Sequence, residues 1–292
     1  MLILKRPWTQ QPQRQVHLRD RWSADVAAVI SGANSAFTTD GQQITTVGAV
    51  TKTVKQPGLM SSHTAGASPT VLRARIPNST IGTDGRGAAF LVQFTSISTV
   101  TSLYIAGFGS DSGSGGNTLF AIQQGATPSQ LRVVVGNSTT NTARELAGGP
   151  VINDGNVHTA LVSLDNFNTS GSCTYQIFMD GKFLVEQTDA VVLGASNIYS
   201  WCCAGSVVRV ADLAIGATCQ ISLAVPFRRR VTRNEGERLT QNPWLELFAP
   251  QQIKIPTAAA AASSLPTLSA STYVPGSITA TGVTGRVTAT EA

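Results

Sequence analysis

Charge is what this sequence has least of. Only 13% of its 292 residues are charged, against roughly 25% in an ordinary soluble domain, and aromatic residues supply 6%. Histidine occurs three times, as His17, His63 and His158, each isolated from the partners of a metal site or a catalytic triad. For His158 the ordinary reading is a surface or satisfied core histidine in a strand. Glutamate is also scarce. Glu235, Glu237 and Glu246 fall together near the end, Glu291 is terminal, and no strand segment offers an acidic pair at alternate positions. A glycosidase needs two carboxylates facing each other roughly 5 to 9.5 Å apart, so catalysis of that kind is not expected, and neither is a cofactor or a metal. The four cysteines, Cys173, Cys202, Cys203 and Cys219, show no C-x-x-C spacing, which leaves zinc and thioredoxin-like chemistry without support. They read as small buried hydrophobes, with adjacent Cys202 and Cys203 on opposite faces of a strand. A disulfide between two of the four stays open. No apolar run approaches the ~18 residues of a membrane span. The opening "MLIL" meets Lys5, Arg6 and Pro7 at once, too soon for an export signal, so synthesis and folding in a cytoplasm are expected.

What the chain does have is hydrophobic content, 42%, with abundant Gly, Ser and Thr. This is the composition of strands and turns around a real core. The net charge of +5 and pI near 9.3 come largely from arginine. Arg228, Arg229 and Arg230 form a run without interleaved aromatics, which reads as a solvated or ion-paired strand end and not as a nucleic-acid groove.

Short β-branched and aromatic runs recur from about Ser23 to Leu223: "AAFLVQF", "SLYIAGF", "TLFAIQ", "LRVVV", "VHTALVSL" and "VRVADLAIG". Such spacing predicts an all-β sandwich. The sharpest local signal is "CTYQIFMDGKFLVEQ", in which Asp180-Gly181 supplies a two-residue hairpin turn between alternating strands. After Val225 the texture changes. Thr232 and Glu235 form a capping box that predicts one short helix near 233–240, and Pro243 must end it. Trp244, Leu247 and Phe248 lie beyond the stop. Asn242, Pro243, Trp244, Leu247 and Phe248 are therefore expected to make a structural plug over an open end or edge of the sandwich.

The termini read differently. Residues 1–22 carry two prolines, many glutamines and five basic side chains; they form an N-terminal arm, with Lys5, Arg6, Pro7 and Trp8 as its candidate attachment residues. Residues 23–250 form the jelly-roll domain. Residues 251–292 form a C-terminal linker and β segment, whose alternating "GSITATG" and "GRVTATEA" cannot bury a core alone.

Together, "KRPWTQQPQ", the "YQIFMDGKFLV" hairpin, "NEGERLTQNPWLELFAP" and "GSITATGVTGRVTAT" resemble tailed-bacteriophage and prophage structural proteins with a concanavalin A-like, laminin G-like jelly roll. The Asn242-Pro243-Trp244 segment is the more specific mark, and between Asp25 and Pro77 little is recognisable. The resemblance implies a non-enzymatic virion component, made in the host bacterial cytoplasm, in the tail fibre or adhesion apparatus. A head decoration or head-fibre protein and a glycan-binding host-receptor module are the alternatives. The implied partners are other virion proteins of tail or capsid, further copies in an oligomer such as a trimer, and a host surface glycan. Neither membrane nor nucleic acid is expected. For a glycan, the polar and aromatic loop groups are Asp111, Asn117, Asp165, Asn166, Asn168 and Trp201, and "SLDNFNTSG" could lend oxygen ligands to calcium or be a turn that binds nothing.

Overall fold

The computed structural model describes residues 2–6, 18–32, 37–38, 44–55, 58–64, 70–77, 81, 87–110, 118–137, 141–146, 149–165, 170–192, 199–209, 212–213, 216–249 and 251–255. Among the described residues two antiparallel sheets make an all-β jelly-roll sandwich. One sheet has seven strands, in the order β12 (Asn141–Glu145), β11 (Leu131–Asn137), β10 (Thr118–Gln124), β9 (Tyr104–Ser110), β16 (Tyr199–Ala204), β7 (Val71–Pro77) and β4 (Ile44–Val47). The other has nine. Its main path runs β15 (Lys182–Val192), β14 (Ser170–Met179), β13 (His158–Leu164), β8 (Ala88–Ser96), β19 (Cys219–Phe227), β2 (Ala28–Ser31), β3 (Phe37–Thr38), and β5 (Thr51–Lys55) joins through β6 (Gly58–His63), which pairs with β19. The chain crosses repeatedly between sheets, so central β8 lies between β13 and β19, which are far from it in sequence.

The alternation of side chains explains why the central runs are mostly apolar on both faces. On β8, Phe90, Val92 and Phe94 enter the core between the sheets, while Ala89 and Leu91 enter a second core on the other face. A strand covered on both faces has no polar side to show. Strand β19 does the same with a bulge: Ile221 faces the first core and Leu223 the second, because the register shifts between them, one extra residue inverting the facing. The Asp180-Gly181 hairpin is present, with Met179 opposite Lys182 and φ of 49° and 80° at the turn, the left-handed pair that suits strand twist.

Three helices lie in the described residues: α1 (Asp20–Ser23), α2 (Arg233–Gln241) and α3 (Pro243–Leu247). The reciprocal capping box of Thr232 and Glu235 opens α2. Beyond it the structure departs from the single expected helix. Asn242 accepts from the Leu245 amide at 3.1 Å and Pro243 takes the first helical position of α3, where a missing N–H costs nothing. Pro243 thus ends one helix and begins another. The run "VRVADLAIG" is not one strand either; its described part holds β17 (Val208–Arg209) paired with β18 (Asp212–Leu213).

The expected arm divides. Leu18 bridges to Phe248, the Arg19 amide donates to the Leu247 carbonyl at 2.8 Å, and Trp22 is 1% exposed, so residues 18–22 belong to the body. Strand β1 (Leu2–Arg6) pairs with β20 (Gln251–Ile255), which places Lys5 opposite Gln252 and Arg6 opposite Gln251. These two strands fall in a compact unit of their own. Pro7, Trp8 and residues 256–292 lie outside the described residues.

Candidate functional site

The two outer faces of the sandwich differ in what covers them. On the nine-stranded sheet the outward residues Leu91, Leu161, Phe178, Leu223, Val225 and Phe227 are buried beneath Trp22, Leu239, Trp244, Leu247 and Phe248. The segment expected to close an end or edge therefore closes a face. The physical reason is the apolar outward side of β8, β13 and β19, which must be buried against another element. Trp244 is 2% exposed, stacks on Phe248 with ring centroids 5.4 Å apart, and donates its indole N–H to Gln93 Oε1 at 2.9 Å. Asn242 caps α3, and Pro243, Leu247 and Phe248 are buried.

Ion pairs pin this cap. Arg229 reaches Asp25 and Glu235, each at 2.8 Å, and Arg230 reaches Glu186 at 3.4 Å. The Arg229 guanidinium, helped by the Thr232 amide and against partial burial, pulls the Glu235 carboxyl down to about 2. Glu246 takes both Arg21 and Arg238, and its backbone carbonyl accepts from the Trp22 indole at 3.0 Å.

The titratable groups serve the fold. His158 is not isolated: Nδ1 lies 2.8 Å from Asp180 and Nε2 3.0 Å from Asp154. Burial favours its neutral form, but the two carboxylates outweigh this and raise its pKa. Asp180 also accepts from the Thr159 amide at 2.8 Å, so the trio locks the hairpin turn onto β13. His63 is buried, donates from Nδ1 to the Thr70 carbonyl at 2.7 Å and has Nε2 2.8 Å from Ser61 Oγ; burial lowers its pKa to about 4, with the Thr70 bond opposing. All four cysteines are buried and none forms a disulfide, and burial raises the Cys219 thiol to about 12. Among the described residues no cluster of three or more His, Cys, Asp or Glu side chains could hold a metal ion.

The outer face of the seven-stranded sheet is different. Its buried patches contain Tyr104, Ala121, Val134 and Val207 at one part and Val71 and Cys203 at another, with no helix residue among them. Half-buried Trp201 packs on the second patch. Register fixes its setting: Trp201 on β16 is opposite Arg75 on β7 and opposite Gly109 on β9. The Arg73 guanidinium lies 4.3 Å from the Trp201 ring centroid and that of Arg75 5.8 Å. Arg73 Nε donates to Thr45 Oγ1 of β4 at 3.2 Å. Three neighbouring strands thus assemble an indole with the guanidinium of Arg73 over its ring and that of Arg75 farther out.

Trp201 was expected in a loop, and it stands in a strand. Asp165 accepts from the Thr174 amide at 2.8 Å and is occupied in closing the β13–β14 turn. Asp111, Asn117, Asn166 and Asn168 lie outside the described residues. Arg73, Arg75 and Thr45 escaped sequence reasoning. A signal existed, since "VLRARIP" alternates strictly and puts Val71, Arg73 and Arg75 on one face.

Fold and face together define an all-β jelly-roll sandwich with one outer face capped by helices and the other carrying an indole beside two guanidinium groups. No protein-family profile matches the chain, and no curated protein is similar to it in sequence. Solved structures are similar in fold. Domain 4 of AbnA, a GH43 extracellular arabinanase from Geobacillus stearothermophilus in complex with arabinotriose, is 14% identical over 74% of this chain and 98% of that domain, with a TM-score of 0.50. The binding domain of Paraclostridial Mosquitocidal Protein 1 is 9% identical with a TM-score of 0.51, over 75% of this chain and 52% of that one. A botulinum neurotoxin serotype D/C binding domain is 11% identical with a TM-score of 0.50, over 76% and 52% respectively. The match spans nearly all of the arabinanase domain and about half of each toxin binding domain. At these identities the likeness is one of fold.

Proposed function

We propose that this chain is a non-catalytic saccharide-binding module that uses the outer face of the seven-stranded sheet around Trp201. We further place it, from the resemblance of its sequence to tailed-phage virion proteins, in the adhesion apparatus of a virion, where the saccharide is a host surface glycan. The observation that carries the binding reading is Trp201 itself. A partly buried indole in mid-sheet, on the face where no helix residue packs among the described residues, offers apolar ring surface to the C–H face of a sugar ring. Its polar edge, Arg73 and Thr45, supplies hydrogen bonding to hydroxyls. Supporting this, the arabinanase domain of like fold holds arabinotriose, and the other neighbours of like fold are binding domains.

Calorimetry of the full chain against a saccharide panel, with Trp201→Ala beside it, tests the reading. The variant should stay folded at the assay temperature, with a lowered melting temperature because Trp201 packs on Val71 and Cys203, and lose at least tenfold in affinity, ~1.4 kcal/mol. Undiminished binding by the variant refutes the placement of the site. At the particle level, antibody to the module should block adsorption to host cells, and unaffected adsorption would remove it from the adhesion apparatus.

A further inference from the structure

We propose that His158 is a proton-operated clasp: with both ring nitrogens protonated it ties the turn at 153–157 to the Asp180-Gly181 hairpin, and as pH rises it lets go of the Asp154 arm while the Asp180 arm holds.

The argument begins with the number of protons the geometry demands. His158 opens β13 and is 7% exposed. Its Nδ1 lies 2.8 Å from Asp180 Oδ2 and its Nε2 3.0 Å from Asp154 Oδ1. An ionised carboxylate only accepts hydrogen bonds and a neutral imidazole carries a single N–H, so only the imidazolium serves both partners at once. From β8 the ring meets Phe94, with centroids 6.1 Å apart; from the hairpin it meets Asp180, and from the turn Asp154. Burial works against the charge and the two aspartates prevail. Lys182, two residues past Asp180, is exposed and is not among the groups that set the ring's charge. His63 has given up its proton by about 4 and Cys219 keeps its own to about 12, so neither changes charge in the range where a histidine between two carboxylates does.

The two arms are not held alike. Asp180 accepts from the Thr159 amide at 2.8 Å and its own amide donates to the Thr159 carbonyl at 3.0 Å, while the next amide, of Gly181, donates to Thr240 Oγ1 of α2 at 3.1 Å. The hairpin is therefore fixed to β13 and to the cap whatever the charge on His158. Asp154 accepts from the Asn156 amide at 2.8 Å and from its Nδ2 at 2.7 Å, bonds that lie inside the turn and travel with it. The neutral ring accordingly keeps its proton on Nδ1, toward Asp180, and turns the Nε2 lone pair on the Asp154 carboxylate, so that a charge-assisted bond becomes a repulsion. The turn then rests on the Gly155 amide to the Ser96 carbonyl at 3.1 Å and Asn153 Nδ2 to the Ser98 carbonyl at 3.3 Å. Its upstream anchor, the Ile152 amide on the Ser129 carbonyl at 2.9 Å, stays in place. Gly155 sits against Ile97, since a Cβ there would lie 3.4 Å from Ile97 Cγ2, and Ile97 is 73% exposed. The clasp thus sets how this end of the sandwich is held around an exposed apolar side chain.

The test is nitrogen NMR of the labelled full chain from about pH 6 to about pH 9, read together with amide hydrogen exchange corrected for the intrinsic rate. At the acid end both ring nitrogens of His158 should carry protons, and at the alkaline end Nδ1 alone. Protection of the Gly155 and Asn156 amides should fall by roughly fivefold or more with the midpoint of the ring titration, while that of Ile152 holds. Asp154→Asn, a change at an exposed turn position, should move the midpoint down and shrink the step, and His158→Gln should remove the step. If His158→Gln fails to fold, Asp154→Asn carries the test alone. A ring that is neutral at the acid end, a neutral form with its proton on Nε2, protection that ignores the ring titration, or a step unchanged in Asp154→Asn each overturns the clasp. So does a fall in Ile152 protection at the same midpoint, because the whole end would then be opening and not one arm.

Discussion

Replacing Trp244 by alanine should destabilise the protein by about 3 to 5 kcal/mol, the range for truncating a buried aromatic in a core that relaxes little. The structure argues for the full range. Trp244 is 2% exposed, Phe248 stacks on it, and the sheet beneath is β8, which is buried on both faces and cannot move into the hole without disturbing the inter-sheet core. The lost hydrogen bond adds little. Gln93 Oε1 keeps the Ser222 hydroxyl at 2.7 Å and Gln93 Nε2 keeps Thr159 Oγ1 at 3.1 Å, so no buried polar group is orphaned and the loss is ~1 kcal/mol. At ~2 to 4 °C per kcal/mol for a domain of this size, the melting temperature should fall by roughly 6 to 20 °C, as followed by circular dichroism and by urea titration. Trp244→Phe, which retains a ring and loses the donor, should cost about 1 to 2 kcal/mol. Saccharide binding below the melting point should be unchanged in both, since Trp244 lies over the other sheet. A fall of less than ~2 °C for Trp244→Ala would refute the burial argument.

Acid should weaken the fold through His63. Its pKa is about 4 in the folded protein against 6.5 unfolded, so the stability it contributes is present above 6.5 and is lost as pH falls toward 4. The difference of 2.5 units corresponds to about 3 kcal/mol, and urea unfolding between pH 7 and 4 should show that slope in the native chain and a flatter one in His63→Gln. His158, with a raised pKa, contributes with the opposite sign, present below 6.5 and lost as pH rises through its folded value; a pH slope that is the same in His63→Gln as in the native chain would contradict the His63 assignment. Gly236→Ala should destabilise although alanine favours helix by ~1 kcal/mol. A Cβ there would stand 2.7 Å from Phe178 Cζ, and overpacking costs ~1 to 3 kcal/mol, so a rise in melting temperature would show that the ring yields freely.

Much of the sandwich was legible because burial writes itself into sequence in two ways. Strands covered on both faces, such as β8 and β13, appear as runs with apolar residues at successive positions, Ala88 to Val92 and Ala160 to Val162, and the Asp-Gly hairpin and the Thr232 capping box announce themselves through local hydrogen bonding. What stayed hidden depends on distant partners. Strand β19 carries Pro226, which usually argues against a central strand, yet Pro226 pairs opposite Phe90 on β8 and its carbonyl serves the Ala27 amide. The bulge that lets Ile221 and Leu223 face opposite cores breaks the alternation that sequence reasoning relies on. Helix α3 was masked by its own proline, since the same residue that stops a helix can start one when Asn242 precedes it. The candidate site is the extreme case. Trp201 was visible as an aromatic, but its neighbours Arg73, Arg75 and Thr45 come from β7 and β4, inside the stretch where the chain resembles nothing recognisable, and only strand order brings them together.

The two outer faces answer one requirement in opposite ways. A jelly roll buries its inner faces by construction, and each outer face must then be either covered or polar. The outward residues of β8, β13 and β19 are large and apolar, so the chain extends past β19 to supply α2 and α3 and fastens them with Arg229, Asp25 and Glu235. Once the cap has used its indole donor on Gln93 and its acids on arginine, nothing there is left to meet a ligand. On the seven-stranded sheet the outward apolar residues are buried in two smaller patches, Tyr104, Ala121, Val134 and Val207 in one and Val71 and Cys203 beside Trp201 in the other. Trp244 is buried under one sheet's outer cover, while Trp201 on the other sheet is partly buried with two guanidinium groups over its ring; the binding proposed above therefore falls on the tryptophan that contributes less burial to the fold, and a function grafted on a fold is carried by such a site and not by the fold itself.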